Sequence, residues 1–323
     1  MLFKLSEKVE QVKYAGFSGN ALIYRDKERN VVSMNGNGTH VIARNVEEFM
    51  LGMSFVFCVT KNENNLQVYK KGELVKQFEG PFAFMPFFDN GDWVVVLKEE
   101  EAGEKFIRLD TELNAVPYSW ENSNLVNIKG NYFFVRRGQI FSCHHVSDGH
   151  ELWNLDVYEI SEETEGQVIK DLILYNDKLF LGLVTGTVLC LEVATGKIIE
   201  EIQLAVGRIK YYEGKIYGAE EHKVRVLDPE TLQVNKIDLT AAFKEQGFGI
   251  ITNMFIPQGD ELYFKSERAS VVGVVKLSTQ ELLWHTEIPI EEGYYWIDDI
   301  GVQGDKLYVL TQGGTLRIFE RNK

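Results

Sequence analysis

The sequence predicts an all-β protein made by repeating one four-stranded unit. Short β-branched and aromatic runs, each bounded by Asn, Asp or Gly, recur from end to end. Their mean spacing is about 40 residues, the length of one small antiparallel sheet. A Thr-containing turn then recurs after the next strand in several copies. Composition agrees with a folded chain, since 45% of the 323 residues are hydrophobic and 25% are charged.

The repeat is clearest in the apolar run that follows a tight turn. It occupies residues 21–24, 55–59, 93–97, 132–136, 178–183, 215–219, 261–266 and 306–310, which makes eight copies. Turns such as Asn176-Asp177, Glu213-Gly214, Gly259-Asp260 and Gly304-Asp305 precede them. Each copy leads into another strand and a further turn. In the copy ending at Glu192 that turn is Ala194-Thr195-Gly196, and Thr231 and Thr279 hold the place of Thr195 in later copies. In the fourth copy the turn is Ser147-Asp148-Gly149, continuing as His150-Glu151-Leu152-Trp153.

A strand, an acidic residue, a Thr-Gly-Lys turn and an apolar pair ending in Trp together resemble the repeat of quinoprotein-like (PQQ-like) β-propellers. Ala194-Thr195-Gly196-Lys197 and Gly149-His150-Glu151-Leu152-Trp153 carry the resemblance. It implies one propeller domain spanning residues 1–323, and it specifies fold rather than chemistry. The WD-repeat blade of the same period fits less well, because no Trp-Asp dipeptide occurs. The last copy stops after its third strand. Residues 2–9 are therefore expected to add the missing outer strand and tie the two chain ends together. Eight blades are expected, or seven if residues 10–45 form no full blade.

Charge narrows the function. With 34 Lys and Arg against 48 Asp and Glu, the net charge of −14 disfavours nucleic acid and anionic membrane surfaces as partners. The N-terminal twenty residues lack a signal-peptide apolar core, and the greasiest stretch, residues 49–59, is interrupted by Gly52 and Ser54. Only three cysteines occur, Cys58, Cys143 and Cys190, spread far apart. A mature, cytoplasmic, monomeric protein is expected.

Sites for chemistry are sparse. The resemblance raises a quinone-dependent dehydrogenase. Such enzymes hold their cofactor beside adjacent cysteines, however, and this chain has no Cys-Cys pair. A non-enzymatic member with no cofactor is the expectation. Cys143, His144, His145, Asp148 and His150 gather metal-binding types in one hairpin. Strand alternation, however, sends His144 to the face opposite Cys143 and His145, so no metal site is assigned. Neither a Gly-x-Ser-x-Gly elbow nor a phosphate loop with a following helix is present, and the glycines at 36, 38, 313 and 314 are expected in β-turns. Cys58 and Cys190 sit in apolar strands and read as core residues.

The links between one unit's outer strand and the next unit's first strand are more informative. Three are long: residues 156–168, 239–250 and 288–296. They bring Tyr158, Glu159, Glu162, Glu163 and Glu165; Phe243 and Phe248; and Glu291, Glu292, Tyr294, Tyr295, Trp296, Asp298 and Asp299. A fourth link over residues 80–88 adds four phenylalanines, among them Phe82 and Phe84. The charged run from Lys98 to Lys105 is placed between two strands on the same face.

Two readings stand side by side. Phe82, Phe84, Tyr295 and Trp296 can pack between blades while the acids keep the protein in solution. Alternatively, aromatic anchors ringed by negative charge form a docking face. On the second reading the protein is a non-catalytic binding or scaffold module. Glu162, Glu163, Glu165, Phe243, Phe248, Tyr294, Tyr295, Trp296, Asp298 and Asp299 would then engage a basic protein or peptide, an immunity protein against a basic toxin being one concrete case. The alternative is a small-molecule or carbohydrate-binding propeller, or a hydrolase or lyase, using Asp298, Asp299, Glu162 and Glu163 as carboxylates.

Overall fold

The computed structural model describes residues 2–18, 21–35, 38–52, 54–62, 64–82, 88–89, 93–100, 103–118, 125–160, 171–204, 208–244, 246, 254–266 and 270–322. Among them are eight four-stranded sheets, each built from strands consecutive in the chain except the last. Each of the eight sequence runs becomes the second strand of its sheet, from Ala21–Arg25 in the first to Lys306–Thr311 in the eighth. Residues 10–45, weakly marked in sequence, do form a full sheet, from Tyr14–Ser18 to Gly38–Ala43.

The chain divides into two compact units. One holds Met1–Val9, Gln139–Cys143 and Leu152–Lys323; the other holds Glu10–Gly138 and His144–Glu151.

In the second of these, a cluster of Ile23, Val31, Val46, Val56 and Cys58 joins the first two sheets. Another, of Phe55, Phe57, Val68, Phe82 and Leu109, joins the second and third. In the larger unit, Phe180, Cys190, Ile202, Ile216 and Leu227 join the fifth and sixth sheets. Ala219, Phe243, Phe264 and Val275 continue into the seventh, and Phe3, Tyr263, Trp284 and Phe319 continue into the eighth.

A middle strand with a neighbouring sheet on each face must be apolar on both faces. Phe55–Thr60 and Val271–Lys276 accordingly are buried at every position but the last, whereas the outer strand Glu73–Phe78 is exposed at all but its final residue. Full burial of each such large side chain contributes about 1.5–3 kcal/mol.

The turn before the second strand has a further job. The carbonyls of Asn131, Asp177, Asp260 and Asp305 accept the amides of Val146, Val193, Leu277 and Arg321, each at 2.8 Å, beyond or at the end of the third strand of the same sheet. A second lock closes several of the outer strands. Leu204, Leu239 and Ile288 donate their amides to Gly186, His222 and Ser270 in the turn ahead of the third strand, at 3.0, 2.7 and 2.6 Å. All three side chains are buried. Phe82 makes the same bond to Asn64 at 2.8 Å and is buried, so it packs in the core.

The last sheet has the order expected. Phe3–Val9 pairs antiparallel with Leu316–Arg321, with Phe3 opposite Arg321 and Val9 opposite Leu316. The charged run of residues 98–105 is mostly strand rather than loop. It ends Trp93–Glu100 and begins Gly103–Asp110, which pair from Trp93 opposite Asp110 to Glu100 opposite Gly103.

The Thr-Gly-Lys turn also explains itself. Trp153 donates its indole N–H to the Val193 carbonyl at 2.7 Å, and its ring lies on Gly196, where a Cβ would stand 2.6 Å from the ring. Gly196 has φ +71°, so two constraints require glycine there. Thr195 accepts the Lys197 amide at 3.3 Å and tightens the same turn.

Candidate functional site: an exposed aromatic segment

The link from the seventh to the eighth sheet leaves the core at Ile288 and returns at buried Ile297. Between them the backbone is pinned from below. Arg317 donates to the Pro289 carbonyl at 2.8 Å, and the Thr311 hydroxyl donates to Glu291 Oε1 at 2.8 Å. Glu291 lies across Gly313, where any Cβ would stand 2.5 Å from its Oε2. Burial pushes the Glu291 carboxyl up. Hydrogen bonds from Thr315, its own amide and Thr311, with Arg317 nearby, overcome that and hold it below the usual range. This glutamate is therefore a structural anchor, not a surface acid.

Above the anchor the chain turns sharply. The Tyr294 amide donates to the Glu291 carbonyl at 3.1 Å, through Gly293 at φ +84°. Gln312 clamps the far side, accepting from the Tyr295 amide at 3.3 Å and donating its own amide to the Trp296 carbonyl at 3.1 Å. The backbone has few ways to move, yet its side chains face water. Tyr294, Tyr295 and Trp296 are 44, 78 and 49% exposed, and the Tyr295 and Trp296 rings lie 6.4 Å apart.

Asp298 is exposed beside them, while Asp299 is not available in the same way. Its Oδ1 accepts the Ile300 amide at 2.9 Å and its Oδ2 accepts the Tyr308 hydroxyl at 3.0 Å. Burial pushes the Asp299 carboxyl above its ordinary range, and burial likewise pushes the Tyr308 phenol up. Asp299 holds the strand; it is not a free carboxylate paired with Asp298.

Phe243 requires a correction. It lies in the short helix Thr240–Lys244, 1% exposed, with its ring 5.3 Å from Phe264 and 5.9 Å from His222. The helical turn points it inward, so it belongs to the core between the sixth and seventh sheets and lines no mouth. Glu162, Glu163, Glu165 and Phe248 lie outside the described residues. The structure thus brings together Tyr294, Tyr295, Trp296 and Asp298 on one segment.

The histidine hairpin has ordinary partners. His144 stacks on Phe133 at 4.7 Å, His145 Nδ1 meets the Ser147 hydroxyl at 2.7 Å, and His150 Nδ1 meets Asp148 at 2.6 Å. Burial pushes the Cys143 and Cys190 thiols up to about 12 and about 11, and Cys58 higher still, so none supplies a thiolate near neutral pH. No helix among the described residues is long and apolar enough to cross a membrane.

No protein-family model and no curated protein sequence matches this chain. Solved structures do match in fold. The C-terminal WD40 domain of Sif2 is 12% identical with a TM-score of 0.67, over 100% of this chain and 99% of that one. BamB from Moraxella catarrhalis is 11% identical with a TM-score of 0.58, over 99% and 98%. The β-propeller domain of Myceliophteria thermophila Cps50 (Swd1) is 12% identical with a TM-score of 0.53, over 98% and 99%. At such identities the likeness defines a fold and nothing finer. The fold is an all-β propeller with eight four-stranded blades, the last completed by the N-terminal strand.

Proposed function

We propose that this propeller is a non-catalytic protein-binding module and that Tyr294, Tyr295, Trp296 and Asp298 form its docking edge for a basic protein or peptide. One observation carries the reading: three consecutive aromatics are exposed on a segment whose backbone is clamped on both sides. An exposed aromatic on a rigid support loses little entropy on binding and supplies the large contact area typical of interface hot spots. The net charge of −14 and the exposed Asp298 favour a basic partner and speed its approach. Membership of the quinoprotein-like repeat family is part of the same proposal. The Trp153 ring seated on the Thr195-Gly196 turn supports it, since both halves of that contact are repeat positions.

The test is affinity capture with the tagged protein, identification of the retained partner, and titration of that purified partner against parent and a Tyr295→Ala/Trp296→Ala double variant. Both side chains are exposed, so folding should survive, and a thermal melt checks it. The reading expects a basic partner, binding weakened about tenfold or more in the variant, and association slowed by salt. Equal binding by the two proteins, or an acidic partner, overturns it.

A further inference from the structure

A cavity of about 390 Å³ opens between the first and second sheets, within the range of order 300–1,000 Å³ usual for small-molecule sites. Its floor is aliphatic. Ile23 and Val56, both under 5% exposed, belong to the core cluster joining these two sheets, and Ile42 extends the same surface outward.

Strand register sets what stands above that floor. Ile23 pairs with Ser33 and Ser33 pairs with His40, so an apolar, a hydroxyl and an imidazole side chain form one row across a single face of the first sheet. Ser33 is 4% exposed and lines the cavity wall. The opposite rim comes from the hairpin between Leu66–Lys70 and Glu73–Phe78, which contributes Lys70 and Lys71. The Lys70 ammonium is 5.0 Å from the centre of the Phe55 ring, which holds its stem along the sheet. In the same hairpin Gly72, at φ +87°, lets His40 close in, because a Cβ there would stand 3.1 Å from the imidazole Nε2.

The charge of this lining opposes that of the chain. Acidic residues outnumber basic ones 48 to 34 overall, yet the described residues lining the cavity include Lys70 and Lys71 and no Asp or Glu. Glu73, opposite Lys70 in the hairpin, is outside the lining. An apolar floor, one buried hydroxyl and a cationic rim together select an amphipathic anion. We propose that this cavity binds a small monocarboxylate with an aliphatic body. The body would lie on Ile23, Ile42 and Val56, and the carboxylate would reach the Lys70 and Lys71 ammonium groups at the rim. This site is independent of the aromatic segment.

The probes are octanoate and octylammonium, equal in chain length and opposite in charge, titrated calorimetrically into the full chain. A Lys70→Gln/Lys71→Asn variant removes both rim charges. Asn suits position 71, whose φ of +52° lies in the left-handed region that Asn tolerates. The expected result is saturable octanoate binding, octylammonium binding weaker by about tenfold or more, and octanoate affinity reduced about tenfold in the variant at an unchanged melting temperature. Isoleucine methyl NMR should place the octanoate-induced shifts at Ile23 and Ile42. Failure of octanoate to bind at millimolar concentration, equal binding of the two probes, full affinity in the variant, or shifts confined to other isoleucines would each overturn the assignment.

Discussion

Asp228 shows how much one turn residue can do. It closes the third strand of the sixth sheet, pairs with Lys215, and accepts the amides of Glu230 and Thr231 at 2.9 and 3.1 Å. The Lys215 hydrogen bond, followed by the Thr231 amide, holds its carboxyl down to about 2. A folded-state value below the unfolded one of about 3.9 contributes stability that is complete above that value and lost as the pH falls toward about 2. Asp228→Asn should therefore lower the urea midpoint near neutral pH and flatten its decline in acid, so that parent and variant converge near pH ~2. Parallel curves across that range would show that Asp228 does not couple folding to protons. The sequence marks Pro229-Glu230-Thr231 as a turn, but not the Lys215 partner. The same limit separates Trp296 from Phe243: both are aromatics in long links, and composition alone does not say which one a helical turn buries.

At the scale of elements, the propeller is held by contacts repeated from sheet to sheet. The strand runs were readable because apolar stretches and Asn, Asp and Gly turns are local signals. The residue that locks six of the outer strands was not. Val46, Phe82, Val157, Leu204, Leu239 and Ile288 are all buried and all donate an amide to the turn ahead of the third strand of the sheet they leave. Each is a single apolar residue after a strand, without periodicity to reveal it. The Trp153 contact is the most specific of these element-level ties. Trp153→Phe removes the bond to the Val193 carbonyl, and Gly196→Ala forces a methyl group into the ring at a positive φ. Each substitution should cost about 1–3 kcal/mol in urea unfolding. A loss below about 0.5 kcal/mol, the usual size of a neutral surface change, would mean that the ring is not needed to hold the turn.

For the molecule as a whole, the N-terminal strand decides whether the last sheet has a free edge. Phe3–Val9 covers Leu316–Arg321, the Asn322 amide donates to the Leu2 carbonyl at 3.0 Å, and Phe3 packs beside Tyr263, Trp284 and Phe319. Deleting residues 1–9 should uncover a full strand edge and an apolar notch. Phe3 alone accounts for about 3–5 kcal/mol of the expected loss. Self-association by light scattering and a lower melting temperature are the expected readouts, both reversed by adding the nine-residue peptide. A truncated protein that associates no more than the parent and melts like it would show the strand to be dispensable.

By itself the sequence determined the all-β class, the repeat of about 40 residues and the second strand of every sheet, and it made a returning N-terminal strand the expectation; that residues 10–45 form a full sheet, giving eight rather than seven, came from the structure. Strand alternation and turn chemistry are written over a few neighbouring residues, and a repeat of about 40 residues displays them many times. Only the tertiary structure decided which side chains in the long links face water. Glu291 became an anchor because Thr311, Thr315 and Arg317 come to it from the last two strands and the turn between them, and Asp299 was taken by Tyr308. The cavity under Lys70 likewise exists because Ser33 and His40 are drawn beside Ile23 by register. Burial and polar pairing depend on groups far away in the chain, and no local pattern encodes them.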